Sequence, residues 1–132
     1  DLMKSGATLT IALILNGQLH LRHLGDSCCD IFSDNDTPLR LSEEHVSEDG
    51  CLTNYFGGDF QSPAQTISAP FSENCRVILT SDGIGYYISN ETMDKTGQDF
   101  NWDRQRVADD LMAQAITAGS DDDRTIVIAS NR

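Results

Sequence analysis

The stretch LTSDGIGYYIS (79–89) changes character in its middle. The apolar run that leads into it, CRVILTS (75–81), has the length and composition of a buried strand. That run ends in Asp82 followed by Gly83 rather than in an ordinary polar turn. A carboxylate at the end of a strand is exposed at the rim of the sheet, and the glycine lets another backbone or a ligand come close. The stretch therefore predicts a buried strand that presents an acidic group at one edge of a sheet.

A second acidic tip lies near the end of the chain, in GSDDDRTIVIAS (119–130), where three consecutive aspartates precede another apolar run. We interpret RTIVIAS (124–130) as a second buried strand, so that Asp82 and Asp122 each lie at a strand tip. Carboxylates that converge repel one another, which raises at least one pKa unless a cation neutralises them. Mg²⁺ or Mn²⁺ would suit such oxygen ligands. The spacing alone equally fits Asp-Gly turns and an acidic loop that bind nothing.

Three more strands are predicted upstream. Residues 5–15 and 18–25 flank Asn16-Gly17, a two-residue turn that typically closes a β-hairpin. The first arm is apolar at nearly every position, which predicts a central strand covered on both faces. The second arm alternates apolar and polar side chains, which predicts one buried face. A third strand, CCDIF (28–32), follows a tight turn.

The strongest helix pattern lies in residues 102–118, where adjacent apolar pairs recur every four residues. Asn101 is the predicted N-cap and Gly119 the predicted stop. A short helical turn is expected in SNETMDK (89–95), and short strands are expected within the excursion over residues 39–74. The whole predicts a single domain over residues 1–132, an α/β (α+β) layered β-sandwich of mainly antiparallel strands with flanking helices.

Composition narrows the possible partners. A net charge of −12 excludes nucleic acid, because phosphate binding needs clustered Lys and Arg. No apolar stretch approaches the ~20 residues of a membrane-crossing helix, so no membrane partner is expected. The cysteines lack the paired spacing of a zinc site, and we expect small buried thiols in a reduced, cytoplasmic domain. The cysteines are Cys28, Cys29, Cys51 and Cys75.

Six segments, taken in order along the chain, resemble motifs of the metal-dependent protein phosphatases, the type 2C serine/threonine phosphatases, and specifically the second half of their catalytic domain. They are similar to a Gly/Thr-rich strand entry, a V-G-D-S-R hairpin, two segments that flank the flap, an L-x-S-D-G-L-x-D stretch and a G-S-x-D-N-x-T-V closing strand. The segments are MKSGATLTIALI (3–14), LRHLGDSCCDIF (21–32), RLSEEH (40–45), LTNYFGG (52–58), VILTSDGIGYYIS (77–89) and GSDDDRTIVIA (119–129). Any one of them is weak, whereas the ordered set over nearly the whole chain is specific.

The resemblance implies a β-sandwich with metals at one end of its sheets, Mn²⁺ or Mg²⁺. In the family, the aspartate of S-D-G and the first aspartate of D-N-x-T bind a metal pair, and these positions match Asp82 and Asp122. A register error of one residue would select Asp121 or Asp123 instead. Asp26, in G-D-S, matches a residue that helps to hold a weaker third metal alongside Asp82. No catalytic residue beyond these ligands and no substrate-binding residue is assigned.

The resemblance also implies an activity, that of a serine/threonine protein phosphatase. Such a hydrolase cleaves phosphoserine or phosphothreonine in a phosphorylated protein substrate with a water activated by two metals. The N-terminal part of that fold, which supplies a bridging aspartate and a phosphate-gripping basic residue, is expected to be absent, and Asp1 is not assigned the bridging role. We therefore expect the chain alone to be weak or inactive. Its expected partners are the missing N-terminal half or a second copy that pairs along open strand edges.

Several departures from the family pattern leave alternatives open. Cys28 stands where an arginine usually follows G-D-S, and Tyr86 or Tyr87 stands near a commonly acidic position. The segment VSEDGCLTNYFGG (46–58) leaves no room for a helical flap. One alternative is a non-catalytic pseudophosphatase or regulatory relative that acts through protein binding, and another is an unrelated acidic β-domain. The histidines are expected to be surface or structural groups rather than ligands: His20, His23 and His45.

Overall fold

The computed structural model describes residues 5–57 and 63–131. Its elements, in chain order, are β1 (Leu9–Leu15), β2 (Gln18–Leu24), β3 (Cys28–Ser33), β4 (Leu39–Arg40), β5 (Gln65–Pro70), β6 (Cys75–Thr80), α1 (Asp82–Gly85), α2 (Asn90–Asp99), α3 (Arg104–Thr117) and β7 (Ile126–Ser130). The strands form two sheets, ordered β1-β2-β5 and β4-β3-β6-β7, and the described strand pairs are all antiparallel. The predicted layered sandwich is confirmed.

Apolar side chains from both sheets meet in the layer between them. Leu19 and Leu21 of β2 pack there with Cys29 of β3 and Val77 of β6. Fully burying one Leu or Ile side chain stabilises a fold by about 1.5–3 kcal/mol, so this layer holds the two sheets face to face.

A second core lies on the opposite face of the four-stranded sheet. Ile78 of β6 points there because neighbouring strand residues alternate between faces, and it packs against Ile84 of α1, Met93 of α2 and Leu111 of α3. The three described helices therefore cover the outer face of the four-stranded sheet, and that sheet is buried on both sides.

The predicted hairpin turn is confirmed. Asn16 has φ 51° and Gly17 has φ 72°, so both lie in the left-handed region that a type I′ turn requires. Leu15 pairs with Gln18 across the turn, and the register of β1 against β2 continues from this pair.

The prediction that β1 is covered on both faces is wrong. β1 is an edge strand of the three-stranded sheet, and its alternate side chains Leu9, Ile11, Leu13 and Leu15 are 42–54% exposed. Val127 of β7, predicted in a buried strand, is 52% exposed. An unbroken apolar run shows that a strand can be covered on both faces but carries no information about whether a covering layer is present.

The long helix begins two residues later than predicted, and Asn101 is not its N-cap. Asp103 takes that role, and its carboxylate accepts a hydrogen bond from the Arg106 amide at 3.1 Å. Asn101 and Trp102 lie in a left-handed turn, with φ 49° and 55°, between α2 and α3. The prediction missed this turn because neither residue is a glycine, and left-handed backbone is uncommon for other residues.

Two further helix ends show how local signals compare with the structure. Gly119, with φ 97°, ends α3 as predicted. The short turn expected after Ile88 is a helix of 10 residues, α2, which is capped by the Ser89 hydroxyl accepting from the Thr92 amide. Within the described ranges, no helix is both long and apolar enough to cross a lipid bilayer.

Candidate metal centre

The two acidic tips meet in space. The Ser81 hydroxyl donates to the backbone carbonyl of Asp123 at 3.1 Å and accepts from the amide of Thr125 at 3.0 Å. The Ser81 amide donates to the Thr125 carbonyl, also at 3.0 Å. These three hydrogen bonds join the end of β6 to the loop before β7, although Ser81 and Asp123 are 42 residues apart in sequence.

Gly83 makes this junction close. A Cβ atom at Gly83 would collide with the carbonyl oxygen of Asp123, so a side chain here would push the two segments apart. The Ser120 hydroxyl donates to the Gly83 carbonyl at 2.6 Å from the other side. The glycine that follows Asp82 thus permits close approach of backbone, as its position suggested.

Asp82 and Asp122 lie on either side of the junction. β6 ends at Thr80, so Asp82 opens helix α1 rather than ending the strand. Asp82 Oδ1 accepts from the Gly83 amide at 2.9 Å, and Asp122 Oδ1 accepts from the Asp123 amide at 2.7 Å. Each carboxylate is oriented by the amide that follows it and keeps acceptor capacity for a ligand. Asp82 is partly buried and Asp122 is exposed.

Asp26 lies in the turn between β2 and β3, at the same end of the sandwich. Partial burial raises the pKa of the Asp26 carboxyl, and the charge of Asp82 raises it further, with smaller contributions from Glu44 and Asp122. Asp26 therefore lies within electrostatic reach of both other aspartates picked out in the sequence. Glu44 joins them although sequence reasoning assigned it no role.

Solved structures with this fold were found, whereas no protein-family model and no curated protein matches the sequence. The serine/threonine phosphatase PstP/Ppp of Mycobacterium tuberculosis is 20% identical, with a TM-score of 0.78 over 93% of this chain and 59% of its own. The phosphatase Stp1 of Staphylococcus aureus is 16% identical, with a TM-score of 0.82 over 96% of this chain and 57% of its own. This chain has the type 2C phosphatase fold.

A further neighbour of the same fold carries metal. It is described as the catalytic domain of PstP in complex with two manganese ions, and it is 23% identical, with a TM-score of 0.77 over 95% of this chain and 58% of its own. The chain thus spans about three-fifths of the length of these neighbours. The remaining two-fifths of each neighbour has no counterpart in the chain.

Within the type 2C fold, the ligand chemistry of this end is that of a hard cation. The convergent side chains are carboxylates. Burial and then the like charges around Asp26 raise its pKa, and an added divalent cation would offset that rise. In residues 5–57 and 63–131, however, no group of three or more His, Cys, Asp or Glu is arranged closely enough to hold a metal ion. The described residues therefore offer suitable donors without a closed cage.

The neighbouring acids contribute less. Asp123 meets Ser81 through its backbone carbonyl, so its part in the junction does not depend on its carboxylate. Asp121 is exposed. Asp1 lies outside the described residues.

Tyr86 stands beside the acidic group. Partial burial raises the pKa of Tyr86 to about 12, and the charges of Glu44, Asp26 and Asp82 contribute in that order. Tyr86 is therefore a neutral phenol that adds no negative charge at this end and offers a hydroxyl for hydrogen bonding.

An ion pair supports the segment that carries Glu44. Arg40 of β4 binds Asp30 of β3 through two bonds, Nε to Oδ1 at 3.0 Å and a terminal nitrogen to Oδ2 at 3.2 Å. Burial raises the pKa of Asp30, and Arg40 opposes that shift. Because this buried carboxylate is satisfied by Arg40, it is not available as a ligand.

The cysteines add no ligand to the site. Cys28 is buried against Gly85, and burial raises its pKa to about 11, so the thiol stays protonated and inert. Burial likewise raises the pKa of Cys29 to about 12. Cys51 is exposed, so the expectation that all four thiols are buried is wrong at this position. Cys51 lies in an irregular segment, where strand patterning gave no information on burial.

Proposed function

We propose that this chain is the greater part of the catalytic domain of a metal-dependent serine/threonine protein phosphatase. The observation that carries the proposal is the hydrogen-bonded junction of Ser81 with Asp123 and Thr125. It joins the segments that carry Asp82 and Asp122 at one end of a type 2C fold, which supports the proposal that these two carboxylates act on the same ions. The chain is taken as a single domain over residues 1–132.

The proposed ligands are the three aspartates. Asp82 and Asp122 would bind a pair of Mn²⁺ or Mg²⁺ ions, and Asp26 would help Asp82 to hold a weaker third ion. Gly83 and Ser81 act indirectly, because they keep the two acidic segments in contact. When bound, such ions lower the pKa of water and offset the negative charge that develops on the transferred phosphoryl group.

Net charge supports metal dependence. The chain carries −12 overall, and the proposed site lies among Asp26, Glu44, Asp82 and Asp122. This field repels a phosphoserine or phosphothreonine dianion unless cations reverse the local sign. A phosphorylated protein therefore binds productively only to the metal-loaded site, and binding and chemistry depend on the same ions.

The rest of the ligand set is proposed to come from polypeptide equivalent to the part of the neighbours that this chain does not span. That part would supply a bridging aspartate and a basic residue for the substrate phosphate. The chain alone is expected to be a weak catalyst or none, and a second copy that pairs at the edge of β1 is its other proposed partner. The buried free thiols of Cys28, Cys29 and Cys75 favour a reducing, cytoplasmic location.

The test is Mn²⁺-dependent phosphate release from a phosphoserine peptide by the full-length protein. Asp82→Asn is expected to reduce the rate by roughly 100-fold or more, since disturbing even the outer partners of metal ligands costs 10- to 100-fold. Asp109→Asn, on the exposed side of α3, makes the same charge change and should leave the rate unaltered. Full-length protein that folds but shows neither Mn²⁺ binding nor phosphate release would refute the proposal and favour the non-catalytic alternative.

A further inference from the structure

Two histidines stack directly behind the turn that carries Asp26. His23 of β2 is fully buried, and its ring lies 5.2 Å from that of His45, centroid to centroid, with 21° between the ring planes. His45 follows β4 in the segment that contains Glu44. Both rings contact Gly25, the residue immediately before Asp26, and neither was given more than a surface or structural role from sequence.

Gly25 is bound at both of its backbone groups. Its amide donates to His45 Nδ1 at 3.0 Å. Its carbonyl accepts from the His45 amide at 2.8 Å and lies 3.1 Å from His23 Nε2. One residue thus makes three hydrogen bonds, all of them with the two histidines.

These partners determine which ring nitrogens carry hydrogen. A backbone amide only donates, so His45 Nδ1 must be an unprotonated acceptor. A carbonyl only accepts, so His23 Nε2 carries a hydrogen and its Nδ1 can accept from the Thr10 hydroxyl at 2.9 Å. The network thus requires His45 to be neutral and suits a neutral His23. Burial, followed by the neighbouring His45, lowers the pKa of His23 and favours that form.

The turn needs such a hold because its backbone is unusual. Gly25 has φ 111°, a conformation that other residues rarely adopt, and a Cβ there would collide with the Thr8 side chain. The carbonyl of Gly25 belongs to the peptide plane that continues into the nitrogen of Asp26. Fixing that carbonyl therefore fixes the direction in which the Asp26 backbone leaves the turn.

We propose that His23 and His45 are positioning residues that hold the Gly25–Asp26 peptide so that the Asp26 carboxylate faces Asp82. The inference rests on the proposed function insofar as it assigns Asp26 to a metal. His45 contributes the acceptor at Nδ1, and His23 contributes the donor at Nε2. Both histidines act indirectly in this proposal, through the Gly25–Asp26 peptide.

The test compares three variants of the full-length protein. His45→Phe keeps a flat ring but removes the acceptor for the Gly25 amide. His45→Asn restores an acceptor, because its Oδ1 is placed much as Nδ1 is. His20→Asn is the matched control, since His20 lies on the same strand as His23 but on the exposed face, where it bonds the Ser68 hydroxyl at 2.9 Å.

The readouts are hydrogen exchange at the Gly25 and Asp26 amides without metal, and Mn²⁺ affinities by calorimetry. His45→Phe is expected to speed exchange at Gly25 by about 2- to 10-fold, the factor that corresponds to losing one net hydrogen bond. It should also weaken the weakest Mn²⁺ site roughly 10- to 100-fold, the usual effect of losing a group that orients a ligand. His45→Asn should recover most of both, and His20→Asn should change neither.

Two outcomes would overturn the inference. One is unchanged exchange at Gly25 in His45→Phe, and the other is equal loss in His45→Phe and His45→Asn. If His45→Phe fails to fold, His23→Gln against His23→Leu repeats the comparison at the Gly25 carbonyl, because only Gln retains a donor. Wild-type protein that binds no Mn²⁺ would refute the proposed function, whereas the exchange experiment would still decide whether the histidines hold the turn.

Discussion

The two sheets of this chain differ in whether the outer face of an apolar strand is covered. β6 in the four-stranded sheet and β1 in the three-stranded sheet are both apolar at most positions. Helices cover the outer face next to β6, whereas the outward side chains of β1 are about half exposed. An apolar sequence pattern thus shows that a strand can be buried on both faces, and the neighbouring layers determine whether it is.

Substitutions at Ile78 and Ile11 test this contrast with the largest expected effect. Ile78→Ala is expected to destabilise the domain by about 2–5 kcal/mol, because it opens a cavity under the helices. Ile11→Ala removes the same atoms from a side chain that is half exposed and should cost less than about 1 kcal/mol. Urea denaturation measures both. Equal losses would mean that β1 is covered in solution.

Metal binding should stabilise the protein through the acidic end of the sandwich and not through the rest of its surface. Mn²⁺ at 100 times its dissociation constant should raise the free energy of unfolding by about 2.7 kcal/mol, because only the folded state brings the carboxylates together. Asp82→Asn should abolish this gain and, by relieving repulsion on Asp26, should not destabilise the metal-free protein. Thermal unfolding with and without Mn²⁺ provides the measurement. If Mn²⁺ raises the free energy of unfolding of Asp82→Asn as much as that of the wild-type protein, Asp82 is not a ligand.

The inner and outer faces of β2 should differ in their response to pH. The pKa of His23 is lowered by burial and by His45, so between that pKa and about 6.5 the unfolded chain binds more protons than the folded one. Stability from this group is complete above pH 6.5 and is lost as pH falls towards the folded pKa.

The slope of unfolding free energy against pH, below pH 6.5, should approach at most about 1.4 kcal/mol per pH unit for one proton. His23→Gln should reduce that slope. His20→Gln, on the exposed face, should leave it unchanged. Unfolding measured at several pH values between 5 and 8 checks this, and identical slopes in all three proteins would contradict the burial of His23.

The smallest effect on stability is expected for a substitution on the exposed outer face of β1. Ile11→Lys places a charge on the exposed edge strand and should lower concentration-dependent self-association while changing stability by no more than about 0.5 kcal/mol. Ile116→Lys on α3 is the control, since Ile116 is similarly exposed, at 56%, but lies away from a strand edge. Sedimentation equilibrium distinguishes them. Self-association that survives Ile11→Lys would assign it to another surface.

Local signals predicted much of the fold. The predictions of a turn at Asn16-Gly17 and of a helix end at Gly119 were both correct. Each of these residues has the left-handed backbone conformation that its residue type favours at such a position. The N-cap was misplaced because Asn101 and Asp103 are both good capping residues, and the tertiary turn at Trp102 selected between them.

For the candidate site, the sequence predicted the acidic residues and missed what supports them. Asp82 and Asp122 follow recognisable motifs, but the contribution of Glu44 and the stacking of His23 on His45 depend on which segments fold next to the turn at Gly25. A lone histidine in an alternating strand, such as His23, carries no signal for a ring partner such as His45, which comes 22 positions later in the chain. Such partners become visible only when the chain is folded.

Residue order was sufficient for the identity of the strands, the turns between them and the acidic character of the two tips, because these follow from side-chain chemistry within a few positions. Packing between segments distant along the chain decides three other features. They are the junction of the two acidic tips, the exposure of the outer face of β1 and the hydrogen bonds that fix Gly25. Backbone hydrogen bonds from Ser81 to Thr125 and from His45 to Gly25 join segments that lie far apart in the sequence. The physical reason is that local preferences determine conformation, whereas long-range contacts determine which faces and which charges become neighbours.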